Sequence, residues 1–389
     1  MTQKPSGRLL ALDVLRGITI AGMIMVNNSG SWQHTYAPLQ HAEWNGLTPT
    51  DLVFPFFMFI MGISTYISLR KFNFEFSTPT LLKILKRTLV IFVIGLGLAW
   101  IGLSFRTYHV LEPEGLGFFE RFFRAITNFE RIRILGVMQR LALTYGIASI
   151  VAITVKHKYI PYIIGVTLIG YFLLLLFGNG FERSDESIVS VVDRAVLGMK
   201  HLLVDGGVAI DPEGVLSTLP AIAHVLIGFC CGAVLMNTKD NEKRITQLFI
   251  IGTILTFLGL LLSYGCPINK KLWTPTFVLA TCGLGSLFLA LLVWIIDIKG
   301  HKKWSVFFES FGVNPLFIYV FAGVLGTLSY QAVFPYQEGY ISAKEYIYTV
   351  LLQPYFGDYF GALVYALLFV AICWIIGNIL YKKNIYIKI

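Results

Sequence analysis

Charge is what this chain is short of. Only 14% of its 389 residues are Asp, Glu, Lys or Arg, against about 25% in a typical soluble domain. With 56% hydrophobic residues, that scarcity excludes an ordinary soluble enzyme. Cysteine is also scarce. Four of the five cysteines, Cys230, Cys231, Cys282 and Cys373, lie inside apolar runs, and Cys266 sits at a loop edge. The spacing fits neither a disulfide framework nor a metal site. A net charge of +9 remains, but Lys and Arg fall in short segments between apolar runs. There they set membrane topology, so nucleic acid is not the expected partner. Internal repeats, low-complexity tracts and any polar stretch long enough for a soluble domain are absent. The chain reads as one transmembrane unit over residues 1–389.

What is abundant is apolar sequence in long blocks, the mark of membrane-spanning helices. Ten spans are expected, at about residues 9–27, 51–70, 84–104, 133–155, 159–178, 215–236, 245–264, 273–297, 310–331 and 358–381. Asp13 and Arg16 interrupt the first run and no small-residue cleavage site follows, so it reads as a retained helix. One set of flanks is basic: Lys4 and Arg8, Arg70 to Arg87, Lys156 and Lys158, Lys239 to Arg244, Lys299 to Lys303, and Lys382 to Lys388. These face the cytoplasm by the positive-inside rule. The other set, 28–50, 105–132, 179–214, 265–272 and 332–357, is longer and more acidic. The expected fold is an all-α integral membrane bundle of about ten (10–11) transmembrane helices, with both termini cytoplasmic. FFERFFRAITNFER (118–131) carries Phe119, Phe122, Phe123 and Ile126 at helical spacing, as an amphipathic helix at the membrane surface would.

Several polar residues stand where they are costly. Arg16 lies three residues after Asp13, so the two form either a local ion pair or an arginine aimed at an anionic ligand. Asn27 is eleven residues beyond Arg16, about 1100° of helical rotation, which puts both on nearly one face about 16 Å apart. In QHAEWNGLTPTD (40–51), Thr48, Pro49 and Asp51 make a capping box. His41 has no such local reason, and Trp44 and Asn45 flank it. DPEGVLSTLP (211–220) repeats the helix-start pattern with Asp211 as cap. Ser217 and His224, seven apart, share a face of that span, where a packed core histidine is the plain reading. GFCCG (228–232) is a small-xxx-small helix contact. Lys270 and Lys271 lie on the acidic face, so they either snorkel or bind an anion. Arg140 is seven residues into the fourth span and requires a partner, and Asn314 precedes a proline in GVNPLFIY.

These motifs carry a resemblance. RLLALDVLRGITIAGMIMVNN, QHAEWNGLTPTDLVFPFFMFIMG, RIRILGVMQRLALTY, DPEGVLSTLPAIAHVLIG, NKKLWTPTFVLATCG and GVNPLFIY occur in order over about 80% of the chain. The sequence is similar to the transmembrane heparan-α-glucosaminide N-acetyltransferase family and its bacterial NagX-type relatives. The resemblance implies an integral protein of the bacterial inner membrane. It implies transfer of an acetyl group from cytosolic acetyl-CoA to the amino group of a glucosamine-type sugar on the far side. His41 matches the family's catalytic histidine, and Asn27 its asparagine at the outer end of the first span. LDVLRG also resembles the opening of the wider acyltransferase-3 group. That group has a histidine eleven residues after the arginine, where this chain has Asn27.

Acetyl transfer to an amine needs a base, a group to polarise the thioester carbonyl, and alignment of the two substrates. The expected catalytic set is His41 as general base or acetyl carrier, Asn27 or Asn45 as its orienter or the oxyanion donor, and Asp51 fixing the imidazole tautomer. Trp44, Asn45, Asp211 and His224 are assigned to the acceptor. Arg16, Arg140, Lys270, Lys271 and Asn314 are assigned to the donor, with no metal. The bilayer is the other partner, and the resemblance leaves a homodimer open. A transporter of amino sugars would line its path with the same residue types. Against it stands the lack of an inverted repeat and of broken paired helices.

Overall fold

The computed structural model describes residues 9–111, 115–337 and 339–387. Lys4, Arg8 and Lys388, three of the expected topology charges, lie outside the described residues. Helices dominate: α1 (Leu10–Asn27), α2 (Pro49–Arg70), α3 (Thr78–Val110), α4 (Phe118–Thr127), α5 (Val137–Thr154), α6 (Ile160–Phe177), α7 (Ile188–Leu197), α8 (Thr218–Asn237), α9 (Asn241–Leu262) and α10 (Pro275–Val293), continued by a wider turn over Trp294–Ile298. Then come α11 (Val306–Val313), α12 (Pro315–Gln331), an antiparallel hairpin of β1 (Val333–Tyr336) and β2 (Gly339–Ser342), two short turns α13 (Ala343–Tyr346) and α14 (Gln353–Phe356), and α15 (Asp358–Lys382). Among the described residues nine helices are long and apolar enough to cross a membrane, or ten if α11 and α12 form one span. The protein is an all-α polytopic membrane protein.

Local chemistry sets the helix starts. Thr48 accepts from the Asp51 N–H while Asp51 accepts from the Thr48 N–H, and Pro49 opens α2, so three orphan groups at this end are settled. The side chains of Ser77, Asp240 and Thr274 cap α3, α9 and α10 by accepting a first-turn N–H. α8 begins at Thr218, later than the expected Asp211 cap. The Asp211 carboxylate is bound by Arg133 and closes onto the Glu213 N–H at 2.9 Å, which holds DPEG as a turn. The ninth span also departs from expectation. It is bent by 86° between α11 and α12. Pro315 pushes the preceding residue out of helical conformation, and Asn314 sits at φ −125°, ψ 52°.

α1, α2, α5, α8 and α10 share the main core, with Met58, Phe59, Ala142, Leu226 and Phe277 buried within it. α2 and α8 touch backbone to backbone. A methyl on Gly62 would lie 2.1 Å from the Val225 carbonyl, and one on Gly228 2.2 Å from the Phe59 carbonyl. This is the helix contact expected of GFCCG. α3, α6 and α9 are outer helices. Leu89, Val166 and Phe257 leave more than half of their surface outside the protein, where a membrane protein meets lipid. α4 turns Phe118, Phe119 and Phe123 outward in the same way.

Candidate active site

Two loops build the site, residues 28–48 before α2 and 263–274 before α10. They are tied together at three points. The Gly46 N–H donates to the Ile268 carbonyl at 2.8 Å, the Asn269 amide donates to Asn45 Oδ1 at 3.1 Å, and Lys270 pairs with Asp51 where the first loop enters α2. Gly46 has φ +127°, a conformation that side chains resist. Trp44 anchors the first loop from behind. Its indole N–H donates to the Phe181 carbonyl at 2.9 Å, and its ring packs on a small cluster with Tyr171, Leu175 and Leu272.

At the junction, His41 Nδ1 lies 2.7 Å from Asp51 Oδ1. Asp51 is 1% exposed, whereas the His41 side chain is 48% exposed. The other carboxylate oxygen accepts from the Ala42 N–H at 3.0 Å and the Thr48 hydroxyl at 2.9 Å. With both oxygens held, Asp51 can receive Nδ1–H in one orientation, which leaves Nε2 as the basic nitrogen. The capping residue thus also orients the histidine. The Lys270 ammonium stands 3.3 Å from Asp51 Oδ1 and 3.1 Å from His41 Nδ1. Burial pushes Lys270 below its ordinary value, and Asp51 pulls it back. Chemically, the arrangement offers an accessible imidazole base, a buried carboxylate behind it and a desolvated cation beside it.

A second polar cluster forms around the segments before α5 and α8. Arg133 grips Asp211 through two N–H groups and also binds Glu213. Burial opposes its charge, but the two carboxylates hold the guanidinium well above its ordinary range. Arg140, fully buried, donates to Ser217 and to the Gly214 carbonyl and lies 5.0 Å from the Trp273 ring. His224 is also fully buried and bonds through Nε2 to the Pro55 carbonyl at 2.9 Å. That carbonyl lies in α2, so His224 helps to join α8 to α2.

The remaining expected residues fall elsewhere. Arg16 pairs with Asp13 at 2.9 Å and also donates to Ser64 and the Gly312 carbonyl. It knits α1 to α2 and α11. Lys271 pairs with Asp205 at 2.6 Å. Asn314 spends its amide on the C-terminal tail, bonding the Ile385 carbonyl and the Ile387 N–H. Asn27 lines a separate cavity of about 370 Å³ between α1, α3 and α12. Across Leu98, Gly102 and Tyr319, which line both, lies a second cavity of about 440 Å³ that holds Arg106, Arg131 and Arg133. These arginines carry little signal in the sequence because they fall in loops or at a helix end. The available signal was RIR (131–133) with Arg106 on the face meant to be poor in base. Among the described residues no group of three His, Cys, Asp or Glu could hold a metal ion.

The molecule is an integral membrane bundle with a carboxylate-backed histidine exposed at one lip. The catalytic family model of heparan-alpha-glucosaminide N-acetyltransferase matches residues 8–266, and the chain belongs to that family. It is 26% identical over 99% of its length to heparan-alpha-glucosaminide N-acetyltransferase of Mus musculus, and 26% over 98% to that of Homo sapiens. It covers 61% and 60% of those proteins, so it spans about three fifths of their length. A phosphatidylinositol-glycan biosynthesis class W protein of Dictyostelium discoideum is 24% identical over 63% of this chain and 49% of its own.

Proposed function

We propose that this protein transfers an acetyl group from acetyl-CoA to the amino group of a glucosamine-type sugar presented at the loop-rich face. The observation that carries the reading is the 2.7 Å contact between His41 Nδ1 and buried Asp51, which leaves Nε2 accessible. His41 Nε2 takes a proton from the attacking amine, or takes the acetyl group itself before passing it on. Asp51 holds the tautomer and offsets the positive charge that forms on the ring. Lys270, beside the imidazole, and Asn45, in the same loop as His41, are the groups assigned to meet the developing oxyanion. The phosphates of the donor fit the arginine-lined cavity through Arg106 and Arg131, because Arg16, Lys271 and Arg133 are paired with carboxylates and Arg140 is fully buried. Family membership and the relatives' names support the same chemistry.

The test is release of free CoA by purified protein in detergent, with acetyl-CoA supplied with and without glucosamine. Glucosamine-dependent release is expected, falling about 10²–10⁴-fold in His41→Ala and His41→Gln, the span of a lost general base. Release without amine, with acetyl left on the protein, selects the acetyl-His41 route. The second reading, an amino-sugar transporter, draws on the 86° break at Asn314, since broken spans line transport paths. Glucosamine uptake into proteoliposomes without CoA release would favour it.

A further inference from the structure

The groove between α3 and α4 takes no part in the site described above. α3 is 33 residues long, about 50 Å at the helical rise, so it outruns a hydrocarbon core of about 30 Å. α4 folds back against its last turns. The cavity between them has a volume of about 420 Å³, within the ~300–1,000 Å³ of ordinary small-molecule sites. Phe118 and Phe122, stacked at 6.4 Å, wall it on one side and Ile101 and Phe105 on the other. The Trp100 indole N–H donates to the Ile126 carbonyl at 2.8 Å and pins the end of α4 to α3. Phe118 and Phe122 are 64% and 43% exposed, so the groove is open to the same surroundings as Leu89 and Val93, the lipid-facing side chains lower on α3.

Its polar groups come in a definite order. Trp100, Ser104 and Tyr108 all line the groove and lie one turn apart, about 6 Å each along the axis. At the outer end, the Arg121 guanidinium stands 3.7 Å from the centre of the Tyr108 ring. The nearby carboxylate of Glu120 pairs with Arg124 at 2.7 Å. One turn deeper, the Ser104 hydroxyl is buried and, among the described residues, makes no hydrogen bond. A helical serine can bond to the carbonyl one turn back, and a buried hydroxyl left without a partner is costly. Below Ser104 the lining is aromatic and aliphatic. A glycerophospholipid has the same order: an anion, ester carbonyls that accept hydrogen bonds, then hydrocarbon. The headgroup layer of one leaflet is about 5–7 Å thick, which matches the step from Arg121 and Tyr108 down to Ser104.

We propose that this groove is a binding site for one glycerophospholipid of the leaflet at the loop-rich face. An acyl chain lies between α3 and α4, an ester carbonyl accepts from the Ser104 hydroxyl, and the phosphate sits beside Arg121. Full-length protein in phosphatidylcholine nanodiscs is doped with phosphatidylglycerol carrying a diazirine on one acyl chain, and the labelled peptides are mapped. Label on residues 100–108 and 118–126 should exceed that on the lipid-facing helices α6 and α9 at least fivefold, and excess unlabelled phosphatidylglycerol should displace it. Ser104→Leu, which fills the groove, should bring the label down to the level of α6. Ser104→Ala, a milder change, should weaken it in part. Arg121→Gln should make phosphatidylcholine and phosphatidylglycerol compete equally. Native mass spectrometry of wild type, which depends on no variant, should retain one phospholipid after detergent extraction. Label spread evenly over α3, α6 and α9 would mean bulk lipid contact only and overturn the proposal. So would labelling that persists in both Ser104 variants, or a wild type that retains no phospholipid. A Phe119→Cys disulfide joining two copies, in place of lipid labelling, would give the groove to a second copy of the chain and overturn it as well.

Discussion

At the scale of single residues, the central fact is that Asp51 does two jobs. One carboxylate oxygen closes the capping box of α2 and the other holds His41. Capping and orientation were alternatives in the sequence, because TPTD explains its own aspartate. The fold makes them compatible because the cap donors use Oδ2 and His41 uses Oδ1. Asp51→Asn keeps the shape and one acceptor, but presents an N–H where Nδ1–H or a backbone N–H already points. Turnover should fall about 10²-fold or more, as with other carboxylates that fix a histidine tautomer, with a smaller loss of helix stability. Steady-state kinetics beside thermal melting separate the two. Lys270→Met should also lower kcat, since it leaves the buried carboxylate short of a counter-charge, while Lys270→Arg should restore part of it. If Lys270 served only donor phosphates, the defect would lie in KM for acetyl-CoA instead.

Individual helices show which parts of the fold the sequence made legible. All ten expected spans have helical counterparts, because apolar length is a strong and local signal. The bend at Asn314 was not read, although GVNP held the cue in its proline. The block 310–331 looked continuous because apolar content does not register a change of direction. The Asp211 start was misplaced for a different reason. Its carboxylate is bound by Arg133, 78 residues away in the chain, and no local pattern carries that pairing. The arginine itself gives a prediction at this scale. Arg133→Met leaves Asp211 and Glu213 side by side and buried without their cation, a loss of about 3–5 kcal/mol for a broken buried pair. A lowered melting temperature in detergent checks it, and the double variant with Asp211→Asn should recover part of the loss. Gly228→Leu should act through α2 and α8 alone, because its side chain meets the Phe59 carbonyl. Overpacking costs about 1–3 kcal/mol or more.

For the whole molecule, pH acts through the loop-rich face, where the buried acids cluster. Asp193 in α7 is raised to about 6 by burial, against the N–H bonds it receives from Val215 and Leu216. Its folded-state value lies above the ordinary 3.8, so the fold favours the protonated form. That contribution is complete below the ordinary value and is lost as pH rises through about 6. Asp193→Asn cannot ionise. Its melting temperature should match wild type near pH 4 and exceed it by a few degrees near pH 7.5; equal curves at both pH values would remove Asp193 from the pH response.

Orientation follows from how charge is shared between the two faces. The segments joining α2 to α3, α5 to α6, α8 to α9 and α10 to α11 carry Lys71, Lys156, Lys158, Lys239, Lys299, Lys302 and Lys303. The opposite face spends several of its cations on carboxylates: Arg133 on Asp211 and Glu213, Arg183 and Lys271 on Asp205, Arg194 on Asp185. Paired cations add little to the topogenic asymmetry, so the basic face should be cytoplasmic and His41 should open to the other side. The native cysteines are buried or half-buried, which leaves a quiet background for labelling. Glu186→Cys, between α6 and α7, should react with a membrane-impermeant maleimide on intact cells. Asn73→Cys, between α2 and α3, should react only after the cells are opened. The reverse pattern would place His41 in the cytoplasm, where donor and acceptor would meet without any group crossing the membrane.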